Sequence, residues 1–186
     1  GDDRIYQVDL SGAAPVWNHE ATLTGNFDLE FDSAGNGYAV GNPSAGSWGT
    51  DTAIFLLDPT GDNAHDELVY VGGYGAGLAV SATDGVLFGP YGADAVYEWS
   101  ASDLAGAVGT GTLGIADGSK VFDLPASPYD IAVDDAGNIV CNANDATAGV
   151  YRWDGNHRNR LADGQGGWAN WMAMIDVEGV VTSSGG

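Results

Sequence analysis

Cysteine is nearly missing from this 186-residue chain: Cys141 stands alone, so no disulfide can form within it and no cysteine pair can carry metal or redox chemistry. Cations are almost as scarce. One lysine and four arginines face 26 aspartates and glutamates, a formal charge of −21, which repels phosphate backbones and excludes nucleic acid as a partner. No apolar run approaches the roughly 20 residues of a membrane-spanning helix, so membrane insertion is not expected. A signal-peptide pattern is also absent, and the first residue is Gly1, not Met. That beginning fits a processed form, and the expected location is secreted or at the cell surface. The local signatures of catalysis are missing too: no Gly-x-Ser-x-Gly elbow, no His-Glu-x-x-His and no phosphate loop.

What the chain has is repetition. Glycine reaches 30 residues, scattered between β-rich runs in the manner of tight turns. The phrases IYQVDL (5–10), IFLLDP (54–59), VYEWSA (96–101) and VYRWDG (150–155) share one pattern: a β-branched residue, an aromatic, a variable residue, a large apolar residue and a small polar one. A second phrase, FDLEFDSAGN (27–36), returns as YDIAVDDAGN (129–138), with weaker copies at 76–85 and 171–180. Its alternation predicts a half-buried strand, and Asp-x-Ala-Gly-Asn predicts a hairpin turn.

Strand, hairpin, short apolar strand, the IYQVD-type strand and a fourth strand recur at about 40 to 50 residues, the period of a propeller blade. The expected fold is all-β: a β-propeller of four blades with four antiparallel strands each, in one domain over 1–186. Blade 1 spans 25–73, blade 2 spans 74–125 and blade 3 spans 126–167. The fourth blade is shared between 1–24 and 168–186, closing the ring by pairing N- and C-terminal strands, which removes exposed sheet edges. A larger ring and closure between two chains are the alternatives. The φ-Asp-x-Ala-Gly-Asn hairpin followed by φ-Tyr-x-φ-Asp resembles the NHL-repeat and gluconolactonase-type propellers. That resemblance implies the fold, and for the gluconolactonase type a channel cation that polarises a carbonyl and activates water.

Loops at the channel mouth carry Trp48, Tyr74, Tyr91, Tyr129, Trp168 and Trp171, whose flat faces suit a glycan or another small molecule. Blade-to-blade wedging is the other role open to each. Asp28 and Asp130 occupy the same repeat position in facing blades, where oxygen ligands suit a hard cation such as Ca²⁺; capping of local turns is the alternative. The acidic stretch 58–67 reads as a solvated hairpin tip. Arg152 to Arg160 forms the only basic cluster, suited to contact with another copy or to neutralising nearby Asp154 and Asp163.

Binding-type residues without a catalytic set point first to an extracellular, non-enzymatic binding or scaffold module, not an enzyme. Two alternatives stand beside it: a divalent-metal-dependent hydrolase of lactonase or esterase type, and a structural subunit of a surface layer or filament.

Overall fold

The computed structural model describes residues 3–43, 51–57, 65–143, 149–163, 170–175 and 180–185. It begins with an antiparallel hairpin of β1 (Arg4–Asp9) and β2 (Val16–Thr22). A four-stranded meander follows: β3 (Asp28–Phe31), β4 (Gly37–Gly41), β5 (Ala53–Leu57) and β6 (His65–Tyr70). The second meander holds β7 (Leu78–Val80), β8 (Val86–Phe88), β9 (Ala95–Trp99) and β10 (Ser119–Asp123), with helix α1 (Ala101–Ala107) between its last two strands. The third holds β11 (Pro128–Val133), β12 (Ile139–Ala143), β13 (Gly149–Trp153) and β14 (Arg158–Asp163). A hairpin of β15 (Asn170–Ile175) and β16 (Val180–Gly185) completes the order.

These sheets are the blades of a β-propeller, and the innermost strands β3, β7, β11 and β15 lie side by side in that order. The hairpins β1–β2 and β15–β16 stand as separate two-stranded sheets.

The quoted turn phrase works as its residues dictate. Asp32 Oδ1 accepts the backbone N–H groups of Ala34 (3.0 Å) and Asn36 (2.8 Å), while its Oδ2 accepts Asn36 Nδ2 at 2.7 Å. Asp134 repeats this on Ala136 and Asn138. Gly35 and Gly137 take φ of +86° and +78°, where a side chain would be strained. The turn thus satisfies its own donors before any blade packs.

Packing follows from the two-residue period, because alternate side chains of each blade reach opposite neighbours. Phe55, Leu57, Ala39 and Leu29 of the first blade meet Ala21 and Leu23 of the hairpin before it. Its other face, with Tyr38, Val40, Ile54 and Leu68, buries against Leu78, Phe88 and Trp99 of the second blade. Ala79, Leu87, Val96 and Phe122 then pack on Ile131, Cys141, Tyr151 and Trp153 of the third. The first and second blades therefore each turn one face to the sheet before and the other to the sheet after.

Helix α1 is the departure from a plain meander. Ser100 caps it by accepting the N–H of Asp103, and Leu104 and Ala107 are buried. The segment after it returns to the first blade, where Leu113 N–H donates to Leu68 O and Tyr70 N–H donates to Leu113 O, both at 2.8 Å. The insertion covers the outer edge of β6, a place otherwise open to pairing with another chain.

Candidate active site

A cavity of about 620 Å³ runs along the inner strands β3, β7 and β11, lined among others by Asp28, Glu30, Ser33, Asp84 and Asp130. Period-two alternation explains the set, since Asp28 and Glu30 lie two apart on β3. Asp130 holds on β11 the place that Asp28 holds on β3.

Asp28 is half-buried, and its carboxylate ties two blades together: Oδ1 accepts its neighbour Leu29 N–H at 2.9 Å and Oδ2 accepts Leu78 N–H of β7 at 2.8 Å. Asp130 is 4% exposed; its Oδ1 accepts Ile131 N–H at 3.0 Å and its own N–H donates to Asn142 Oδ1 at 2.9 Å. Its carboxylate rests against Gly77, where a Cβ would come within 2.0 Å of Oδ1.

Glu30 is different, with an open face toward the cavity. Its pKa is raised, first by desolvation and then by the charges of Asp28 and Asp130; desolvation also raises Asp28, against the pull of its two backbone N–H bonds. Three acids thus share one low-dielectric channel, and the one with an exposed carboxyl holds its proton more tightly than an ordinary glutamate. The sequence reading missed Glu30 because it falls at the variable place of the repeated phrase. The signal was there in its spacing of two from Asp28.

Of the aromatics expected at the mouth, Tyr74 and Tyr91 meet edge to face at 5.1 Å and are 55% and 50% exposed. Tyr129 packs edge to face on Phe27, and its backbone carbonyl accepts the Gly77 N–H at 2.8 Å, which makes it a contact between blades. Trp48, Trp168 and residues 58–64 lie outside the described residues, as does the Trp171 side chain. Asp28 and Asp130 line one cavity, as a shared cation would need. Among the described residues, however, no group of three or more carboxylate, imidazole or thiol side chains is placed to hold a metal ion. Nor is any described helix long and apolar enough to cross a membrane. In the basic cluster, Arg158 donates to the Asp123 carbonyl of the preceding blade and lies 5.4 Å over the Tyr151 ring, so this cation serves an internal contact.

The four sheets make a β-propeller, a fold that resembles the gluconolactonase-type propellers. No protein-family model and no curated protein sequence matches the chain. Among solved structures it is similar to a gluconolactonase from Xanthomonas campestris, with TM-score 0.68 and 15% identity over 100% of this chain and 63% of that one. A proposed gluconolactonase gives TM-score 0.65 and 15% identity over 99% of this chain and 64% of that one. A luciferin-regenerating enzyme gives 0.58 and 18% over 87% and 55%. The chain spans less than two thirds of the length of each.

These likenesses overturn the expectation of a non-enzymatic binding or scaffold module, and with it the expectation that the chain is not an enzyme. The proteins that share its fold carry enzyme names, which favours the hydrolase alternative over the binding module. The physical reason for the error is that a propeller gathers single residues from separate blades into one channel. A search for contiguous catalytic motifs passes over such a site.

Proposed function

We propose that the chain is a hydrolase of the lactonase or esterase class, acting in the channel lined by Asp28, Glu30 and Asp130. The observation that carries this is Glu30: a carboxyl open to a cavity, with its proton affinity raised by desolvation and by two neighbouring carboxylates. A general base works best when its pKa approaches the working pH, and this is the direction of the shift. In the proposed step Glu30 takes a proton from water as the water oxygen bonds to the carbonyl carbon. The carbon–oxygen bond to the alcohol then breaks, and the departing oxygen takes that proton back. The fold likeness to gluconolactonases supports the ester or lactone class.

A channel cation belongs to the same reading as an open proposal. The described donors do not complete a cation site: among the described residues no three such side chains are placed to hold one ion, and Asp28 and Asp130 already accept backbone N–H groups. The test is hydrolysis of a panel of sugar lactones and aryl esters, run with chelator and with millimolar Ca²⁺. Wild type should turn over at least one, and Glu30→Gln should lower the rate by about 10²–10⁴-fold, the usual worth of a positioned base. Absence of turnover across the panel, or equal rates for the two proteins, would remove the proposal.

A further inference from the structure

The three four-stranded blades each close the inner hairpin with one residue pair. In the second blade the pair is Val80 and Val86, in the third Val133 and Ile139, and in the first Phe31 and Gly37. Val86 and Ile139 are buried, and Val80 and Val133 pack on the cores beside them. Phe31 is instead 59% exposed. The exchange has a steric logic: a Cβ on residue 37 would come within 3.1 Å of the Phe31 ring, so glycine leaves the ring room against β4. The first blade thus shows a large open ring where the other two hold a packed aliphatic pair, and that ring forgoes burial unless something covers it.

What the ring borders is the cavity of Glu30. At the place of Glu30 the other two blades have Ala79 and Ala132, which also line the cavity and leave it open. Ser33, two residues beyond Phe31, fixes the carboxylate of Asp84 from the second blade: its N–H donates to Oδ1 at 2.9 Å and its Oγ to Oδ2 at 2.8 Å. Among the described lining residues the charged groups are Asp28, Glu30, Asp84 and Asp130, with no lysine, arginine or histidine to balance them. In a body of charge −21 such a recess concentrates cations and repels anions. An aromatic face beside it attracts an organic cation through the ring quadrupole.

We propose that Phe31 is the specificity-determining residue of this site, and that the substrate is an ester carrying an ammonium group, seated on the Phe31 ring. The ester rests on the hydrolase reading above; the ammonium rests on the ring and the acids. Hydrolysis of such a substrate releases a carboxylate, which the same acids drive out of the cavity.

Two measurements test this: hydrolysis of acetylthiocholine against its uncharged isostere, in which a tert-butyl group replaces the trimethylammonium, and calorimetric binding of tetramethylammonium. Wild type should prefer the cationic ester and bind tetramethylammonium. Phe31→Leu keeps apolar bulk but loses the ring, and should lower both the preference in kcat/KM and the affinity for tetramethylammonium by about 2–30-fold, the usual worth of a cation on an aromatic face. Phe31→Tyr should retain both. Equal rates for the two esters, or a preference that Phe31→Leu leaves unchanged, would overturn the proposal while leaving hydrolysis in place. If neither ester is turned over, tetramethylammonium binding that Phe31→Leu weakens would keep the cation seat and remove the hydrolase reading. Absence of that binding would overturn the seat as well.

Discussion

Phe27 and Tyr129 meet edge to face with ring centroids 5.9 Å apart and planes at 79°, although they come from the first and third blades. Each directly precedes one of the two channel aspartates, Asp28 and Asp130. The blade between them contributes only the three-residue strand β7, entered through Gly75 and Gly77, so little bulk holds the two rings apart. The pair therefore braces the channel at its aspartate end.

Such a brace predicts energetic coupling. In a double-mutant cycle of Phe27→Leu and Tyr129→Leu, denaturant unfolding should give a coupling energy of about 0.5–1.5 kcal/mol, the usual range for an aromatic pair. Additive losses would mean that each ring packs independently.

Gly77 should tolerate no side chain. A Cβ there would meet Asp130 Oδ1 at 2.0 Å and the Asp130 backbone at 3.1 Å, and neither can withdraw without moving β11. Gly77→Ala should lower stability by about 1–3 kcal/mol, as overpacking does, and should disturb turnover with it. An unchanged unfolding midpoint would show that the inner strands part easily.

Cys141 lies fully buried between the second and third blades, with its thiol pushed up to about 12 by desolvation. It should therefore resist thiol reagents in the native protein at pH 8 and react only on unfolding. Stoichiometric labelling of the folded protein would contradict this.

The parts of the fold legible in the sequence were those fixed by local chemistry. Asp32 and Asp134 draw their hairpins from residues two to four places away, so the phrase announces the turn and its flanking strands. Helix α1 and the edge pairing of Leu113 were not legible, because they depend on an insertion finding the rim of another blade. The site was half legible. Asp28 and Asp130 stood out as repeated residues and Glu30 could be read from its spacing of two from Asp28, but its nearness to Asp130 exists only once the inner strands stand side by side.

The raised proton affinity of Glu30 has a consequence for stability whose sign is fixed. A carboxyl whose folded pKa lies above its unfolded value binds protons more tightly when folded, so its stabilising contribution is whole below the ordinary glutamate pKa of 4.5 and is lost as pH rises through the folded value. Near neutrality the folded state then carries an ionised Glu30 against the charges of Asp28 and Asp130. Glu30→Gln keeps the shape and removes that repulsion, so the variant should melt higher than wild type at pH 7 while being slower in turnover. At pH 4 the two melting points should converge, since wild-type Glu30 is then largely protonated. Thermal melts of both proteins between pH 4 and 8 read the difference directly. A variant that melts lower than wild type at pH 7 would mean that Glu30 is held by favourable contacts, and the strain assigned to a catalytic base would be absent.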